Sequence, residues 1–370
     1  MMGSTPACSP SQPSVVSTVT PSQGVIPLQD FCLVSLPQAW QQEFGRGTIA
    51  NAPDDSIVPF AVSPSSDSVF VTDFSPRWHG IARVDAVTNR HVRIRSLPPT
   101  DQVLTGAFDG RWLVWTELHS LTTYFDWTLY AWDSQTLRVV QLASAGREKG
   151  QLITGPVAWP AIEDGVVGWS QAVSSTTSKL HLYSLPAHTD HVVAVGAVSD
   201  PVFLGSWVVW DYLDATRQHS QFAFANVDTG QLTSVPAALS SVRDPTMLAG
   251  SVDTLAWAAS GLQQLYAWKA PWLAPIRMVT ATKGEFAEYP AIAGNVVTFD
   301  GASAAFAADL RSSSITQITP GAGAIVGKGN TFAFNYLAPG AAKSLHPVQR
   351  VFVADVQQLP SLPHASASCL

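Results

Sequence analysis

Lysine is scarce in this 370-residue sequence, with six residues, and charged residues together make up only 13% of it. Twenty basic side chains stand against 27 acidic ones, for a formal net charge of −7. No basic patch exists to neutralise phosphates, so nucleic acid is not an expected partner. No apolar run approaches the roughly 18 residues that a membrane-spanning helix needs. The sequence holds three cysteines, Cys8, Cys32 and Cys369, with no CxxC and no Cys/His spacing for zinc. G-x-S-x-G is missing, and with it the nucleophile elbow of a serine hydrolase. No regular Asp/Gly pattern marks a calcium loop. Neither a metal nor a cofactor is expected.

What is present is apolar and aromatic: 46% hydrophobic residues and 13 Trp, enough to bury a large core. Apolar residues alternate or run in blocks of four to six rich in Val, Thr, Trp, Phe and Tyr, the mark of strands. They also repeat. A glycine turn leads into an apolar strand ending in an aromatic residue at Gly110 to Trp115, Gly165 to Trp169, Gly205 to Trp210, Gly294 to Phe299 and Gly329 to Phe334. Looser copies are Val252 to Trp257 and Asp67 to Val71, which makes seven. A second apolar strand follows each, as in Leu129 to Asp133 or Val351 to Asp355. A short apolar stretch, often opened by proline, precedes it, as at Pro156, Pro201, Pro245 and Pro290. A fourth strand follows the Asp turn, as in Arg138 to Leu142 and Ser314 to Ile318.

Four short strands per unit at this spacing predict an all-β fold, a single β-propeller of about seven four-stranded blades, with six the alternative. One four-stranded sheet cannot cover both of its faces, so the units stack radially and the repeated aromatics become filler between blades. Expected boundaries are a flexible tether over 1–23, the propeller over 24–363 and a tail over 364–370. The last unit lacks a fourth strand; the left-over segment from Gly24 to Leu36 is expected to supply it, closing the ring with strands from both ends of the chain.

These repeats resemble the TolB-like and WD40-like family of bacterial propellers, whose blades read P-x-I-x-G-x-x-V-V-W followed by an apolar strand and D-x-x-T-G. Pro290 to Phe299 with Asp309, and Pro201 to Trp210 with Asp228, Thr229 and Gly230, carry the resemblance best, and it spans roughly residues 56 to 358. It implies a propeller but no particular activity, since propellers serve binding, scaffolding and hydrolysis alike. The repeating G-H and W-D dipeptides of eukaryotic WD40 blades are absent as a set.

Thr5-Pro6-Ala7-Cys8, followed by a Ser/Pro/Thr/Val stretch, looks like the end of a bacterial lipoprotein signal, which makes Cys8 a candidate for lipidation. A ring brings the chain ends together, so Cys32 and Cys369 are candidates for a disulfide clasp in an oxidising compartment. An extracytoplasmic bacterial protein, secreted or anchored to the cell envelope and monomeric, is expected.

Loops over His119 to Asp126, Ser170 to Ser178, Tyr212 to Ser220 and Leu337 to Pro347 occupy the same place in their units and should share one rim of the ring. That rim carries Tyr124, Phe125, Trp127, Tyr212, Arg217 and Tyr336, the candidate ligand-binding residues, because recognition concentrates in loops on a rigid scaffold. The function expected is non-enzymatic binding or scaffolding, with a protein or glycan as partner. The alternative is a carbohydrate-active hydrolase or lyase using two facing carboxylates in the central pocket, drawn from Glu117, Asp126, Asp211, Asp214, Glu285 and Glu288. His188-Thr189-Asp190-His191 places two imidazoles and a carboxylate together, but in what reads as an exposed turn.

Overall fold

The computed structural model describes residues 31–49, 56–65, 67–75, 78–213, 218–281, 285–321, 323–337 and 349–364. They form seven antiparallel blades around a central axis. From first to seventh, the innermost strands are Ile57–Val62, Gln102–Phe108, Ala161–Glu163, Val202–Leu204, Thr246–Gly250, Ala287–Ala293 and Ile325–Lys328. Each inner strand packs beside the next, and the seventh beside the first, so the ring is closed.

Alternation along the strands explains the stacking. Successive side chains point to opposite faces of a sheet, and both faces of every blade are buried. In the second blade Val114 packs toward the third blade while Trp115 packs toward the first. In the fourth, Val208 and Val209 divide in the same way. Seven apolar clusters result, one at each interface between blades. The recurrent aromatics Trp115, Trp169, Trp210, Trp257, Phe299 and Phe334 all lie in them, at most 3% exposed.

The repeated turn residues also have physical causes. Gly205, Gly294 and Gly329, between inner and second strands, take φ of 56°, 54° and 58°, the left-handed region open chiefly to glycine. At the ends of third strands a carboxylate or amide folds back onto the chain. Asp85 Oδ1 accepts from the Val87 and Thr88 N–H groups, Asp133 Oδ1 from Gln135, Asp355 Oδ1 from Gln357, and Asn226 Oδ1 from Thr229. In the fourth blade it is therefore Asn226, not Asp228, that makes the turn before Thr229 and Gly230.

Two expectations change. The inner strand of the third blade is Ala161–Glu163, past the Pro156 stretch. The seventh blade's fourth strand does come from the N-terminal part of the chain, but it is Thr48–Ile49, antiparallel to Gln349–Asp355. The earlier segment Cys32–Val34 instead lies parallel to Ser314–Gln317 as a fifth, outermost strand of the sixth blade. The helix Gln38–Arg46 spans the two blades between these strands, with Trp40 and Phe44 buried at their interface. Trp40 and Phe44 stand four apart on one helical face, and placing them there leaves only the residues after Gly47 free to complete the last sheet.

Cys32 is disulfide-bonded. Its partner lies outside the described residues, as do Cys8 and Cys369. The chain end is close by: Ser314, paired in register with Cys32, donates its hydroxyl to the Pro363 carbonyl at 2.6 Å. Among the described residues no helix is long and apolar enough to cross a membrane.

Candidate functional site

Up-and-down blades sort their connections onto two faces. The short glycine turns lie on one; the loops between second and third strands, and the links from blade to blade, lie on the other. The inner strands of all seven blades surround an axial cavity of about 560 Å³.

At the glycine-turn face the cavity is bridged. Lys328 of the seventh blade reaches the Glu163 carboxylate and the Ile162 carbonyl of the third, across the axis. At the loop face two aromatic rings stand over it. Trp159, just before the third inner strand, stacks on Tyr289 of the sixth at 5.7 Å and an interplanar angle of 16°. Both are substantially exposed, at 38% and 41%.

A bulge aims Tyr289. The register between Ala287–Ala293 and Val296–Gly301 slips between Glu288 and Ala291, and Tyr289 takes φ 50°. A bulge re-aims a side chain at the cost of local strain, and it accommodates Pro290, which has no N–H to give the ladder.

Carboxyl groups surround this pair. Asp200, linking the third and fourth blades, accepts from the Ser170 N–H at 3.2 Å, from the Ser170 hydroxyl at 2.9 Å and from the Trp159 backbone. Burial pushes its pKa up to about 7. Burial also raises Asp211, which accepts from Ser199. In the sixth blade Glu288 and Asp300 sit directly opposite each other across two strands. Burial, then the Glu288 charge, lifts Asp300 to about 7, and burial raises Glu288 itself. Tyr289 is raised by burial and then by Glu288, Tyr124 and Asp300, so Tyr124 of the second blade's loop lies near the same mouth.

The residues singled out in the sequence scatter. Tyr124 and Phe125 are exposed, at 56% and 40%, on the loop face. Trp127 is 3% exposed and fills the interface between second and third blades, so it is not part of the rim. Tyr212 is partly buried against the cluster between third and fourth blades. Tyr336 is partly buried and stacks on Phe352 at 6.0 Å. Arg217 and Asp214 lie outside the described residues. Of the carboxylates weighed for catalysis, Asp211 lines the cavity and Glu288 lies beside Tyr289. Glu117 is buried in an ion pair with Arg95 at 3.0 Å, and Asp126 pairs with Arg147 at 3.6 Å. His191 is exposed on an outer strand, and Asp190 is engaged by His181 at 2.9 Å rather than by His188 or His191. Trp159, Tyr289, Asp200 and Asp300 were not singled out as a site.

One trio has ligand-like spacing: oxygen or nitrogen atoms of Asp101, Glu117 and His119 lie within 4.8 Å of one another. Both His119 nitrogens are already engaged, by Asp101 and Thr128 at 2.8 Å each, and the Arg95 guanidinium holds Glu117. That network knits the first and second blades together.

No protein-family model matches this sequence, and no curated protein matches it. Among solved structures the chain is similar to a prolyl endopeptidase, with TM-score 0.54 and 14% identity over 89% of this chain and 50% of that one. It thus spans about half the length of that enzyme. It is similar to oligogalacturonate lyase from Vibrio parahaemolyticus, with TM-score 0.54 and 9% identity over 83% and 92% of the two chains. TolB from Acinetobacter baumannii is matched with TM-score 0.40 and 13% identity over 60% and 54%. At such identities the likeness concerns the fold alone, a β-propeller.

Proposed function

We propose that this chain is a non-enzymatic binding propeller that recognises a protein or glycan through its loop face, with the mouth of the axial cavity at the centre of the contact. The observation that carries the reading is the exposed Trp159 and Tyr289 stack over that cavity, with Tyr124 close by. Exposed aromatic surface on a rigid scaffold, rimmed by polar groups, is what recognition sites are made of. We place Tyr212 and Tyr336, both partly buried, at the periphery of this surface. The test is capture of defined glycans and envelope proteins by the purified chain and by Trp159→Ala, Tyr289→Ala and Tyr124→Ala variants. Capture that all three leave unchanged sinks the reading.

The proposed setting is outside the cytoplasm of a bacterium, with residues 1–23 as a tether lipidated at Cys8 and Cys32 bridged to Cys369. The disulfide at Cys32 supports an oxidising compartment. Incorporation of labelled palmitate that persists in Cys8→Ala would remove the anchor from this picture.

A second reading, a carbohydrate-active hydrolase or lyase, is favoured by Asp200 and Asp300, whose pKa values of about 7 suit a general acid near neutral pH. Asp200 and Asp211 line the cavity and disfavour an acidic sugar, so the substrate of this reading is a neutral one. Release of reducing sugar that Asp300→Asn abolishes would favour it over binding alone.

A further inference from the structure

The fourth strands of the seven blades are unequal in charge. In the first blade this strand is His91–Ser96, which carries Arg93 and Arg95, with Arg90 just before it. The fourth strands of the other six blades, Val139–Ser144, Thr189–Val198, Leu232–Thr233, Ile276–Thr280, Ser314–Gln317 and Thr48–Ile49, hold between them one arginine, Arg277. Between Trp78 and Ser96 four arginines stand against one aspartate, in a chain whose net charge is −7. That aspartate, Asp85, is turned onto the Val87 and Thr88 N–H groups and the Thr88 hydroxyl. Two of the arginines are engaged within the ring, Arg95 by Glu117 of the second blade and Arg83 by the Ser68 hydroxyl. Arg90 and Arg93 are exposed, and the Arg93 guanidinium lies over the Trp78 ring at 4.9 Å. Stacking on a ring holds a guanidinium in place while its N–H groups still point outward to an oxygen acceptor.

The same strand has an open edge. It pairs with Trp78–Asp85 on one side and ends its sheet on the other. Such an edge presents a row of unpaired N–H and C=O groups along which another strand can add. The molecule itself shows that its blades accept one, since Cys32–Val34 lies along the fourth strand of the sixth blade, parallel and three residues long. In the first blade the ladder slips between Ile81 and Ala82, so His91, Val92 and Arg93 form an even run of the same length. Charges on an edge also serve to discourage aggregation. That purpose calls for them as much on Val139–Ser144 and Thr189–Val198, whose Val140, Val192 and Val195 are more exposed than Val92. Neither of those strands carries an arginine.

We propose that the outer edge of the first blade takes an extended acidic segment of a protein partner as a fifth strand. The segment's main chain pairs along residues 91–93, and its carboxylates meet Arg90 and Arg93. Main-chain pairing supplies the direction of the added strand, and the two arginines select its charge. Two exposed arginines on one strand suit a short acidic peptide rather than a nucleic-acid backbone, which takes about six to ten phosphate contacts. The contact lies on the circumference of the ring, apart from the loop face, and does not depend on it. Because the paired charges stay near water, binding weakens as salt rises.

The probes are three fluorescein-labelled peptides titrated with the full chain by anisotropy. One alternates glutamate and valine over about six residues, one replaces each glutamate by lysine, and one keeps the glutamates but has proline for the middle valine, which breaks the pairing of an added strand. The glutamate peptide should bind, and the lysine and proline peptides should bind about tenfold or more weakly. Replacing both Arg90→Ser and Arg93→Ser should weaken the glutamate peptide about tenfold, as two exposed ion pairs allow. The same loss of charge beside the second blade, Arg138→Ser with Arg147→Ser, should change it by less than about twofold. All four positions are exposed, and melting temperatures check that both variants fold. Equal affinity for the glutamate and lysine peptides, no binding of the glutamate peptide at about 1 mM, or binding that the Arg90 and Arg93 changes leave intact overturns the site. Equal affinity for the proline peptide overturns the added strand. Capture of the chain on phosphatidylglycerol vesicles without peptide binding overturns it too, and assigns the arginines to a membrane surface. None of these outcomes bears on the loop face, whose own test is capture sensitive to Trp159→Ala.

Discussion

The helix Gln38–Arg46 closes the ring, and Trp40→Ala tests how much of the fold depends on it. Trp40 is fully buried between the sixth and seventh blades, its ring 6.2 Å from Phe44, edge to face. Phe44 in turn meets Phe332 and Phe334 at 6.0 and 5.0 Å, and the Trp40 indole N–H donates to the Pro360 carbonyl at 2.9 Å. A buried Trp→Ala change costs about 3–5 kcal/mol, and the orphaned carbonyl adds about 1 kcal/mol. With an unfolding entropy of ~2.1 cal/mol/K per residue over roughly 300 ordered residues, about 0.6 kcal/mol/K, this lowers Tm by about 6–9 °C. Gln42→Ala, on the exposed side of the same helix, should stay within about 1 °C. Scanning calorimetry on the three proteins decides it. A drop of under about 2 °C in Trp40→Ala would show that the ring holds without this clasp, and would refute the argument that the N-terminal strands and helix close the propeller.

Three further predictions concern charge, covalent closure and turn geometry. The raised pKa values of Asp200 and Asp300 mean that the folded protein holds protons the unfolded chain releases, so their contribution to stability is complete below about pH 4 and lost progressively up to about pH 7. Asp300→Asn should therefore stabilise relative to wild type at pH ~7.5 more than at pH ~4.5, and thermal melts showing the reverse order would remove the buried-carboxyl account. Peptide mapping without reductant should recover a Cys32 to Cys369 cross-link, and reduction should lower Tm; a cross-link to Cys8 would replace the proposed clasp. At Gly329, with φ 58°, a Cβ would stand 2.7–3.0 Å from Pro64, so Gly329→Ala should cost about 1–3 kcal/mol by strain and crowding, a loss that denaturant unfolding would miss only if the turn rearranges.

The propeller was legible because each of its causes is local. Period-two alternation, a glycine where φ must be positive and an Asp or Asn that folds back onto a turn all occur within one blade, and the ring repeats them. Ring closure was legible in outline, since a blade without a fourth strand must find one. Which segment supplies it was not, because that depends on where Trp40 and Phe44 fit against blades near the other end of the chain. Gly24 to Leu36 looked left over, yet Phe31 buries in the interface between fifth and sixth blades and leaves the closing strand to Thr48–Ile49.

The mouth was not legible for a related reason. Trp159 and Tyr289 are 130 positions apart, and only the closed ring puts the third and sixth blades on opposite sides of one channel. Neither ring follows the repeat: the aromatics that recur in register are core filler, and the two that recognise nothing inside the protein fall outside that register, before one inner strand and at a bulge in another. In a repeat fold the residues that break the repeat are the ones packing does not require. Trp127 satisfied the period, and it is buried; the bulge that aims Tyr289 recurs in the fifth blade, where the ladder slips between Thr246 and Ala249 and Met247 takes φ 49°, so the repeat supplies the backbone and the exposed aromatic side chain is what is particular to the sixth blade.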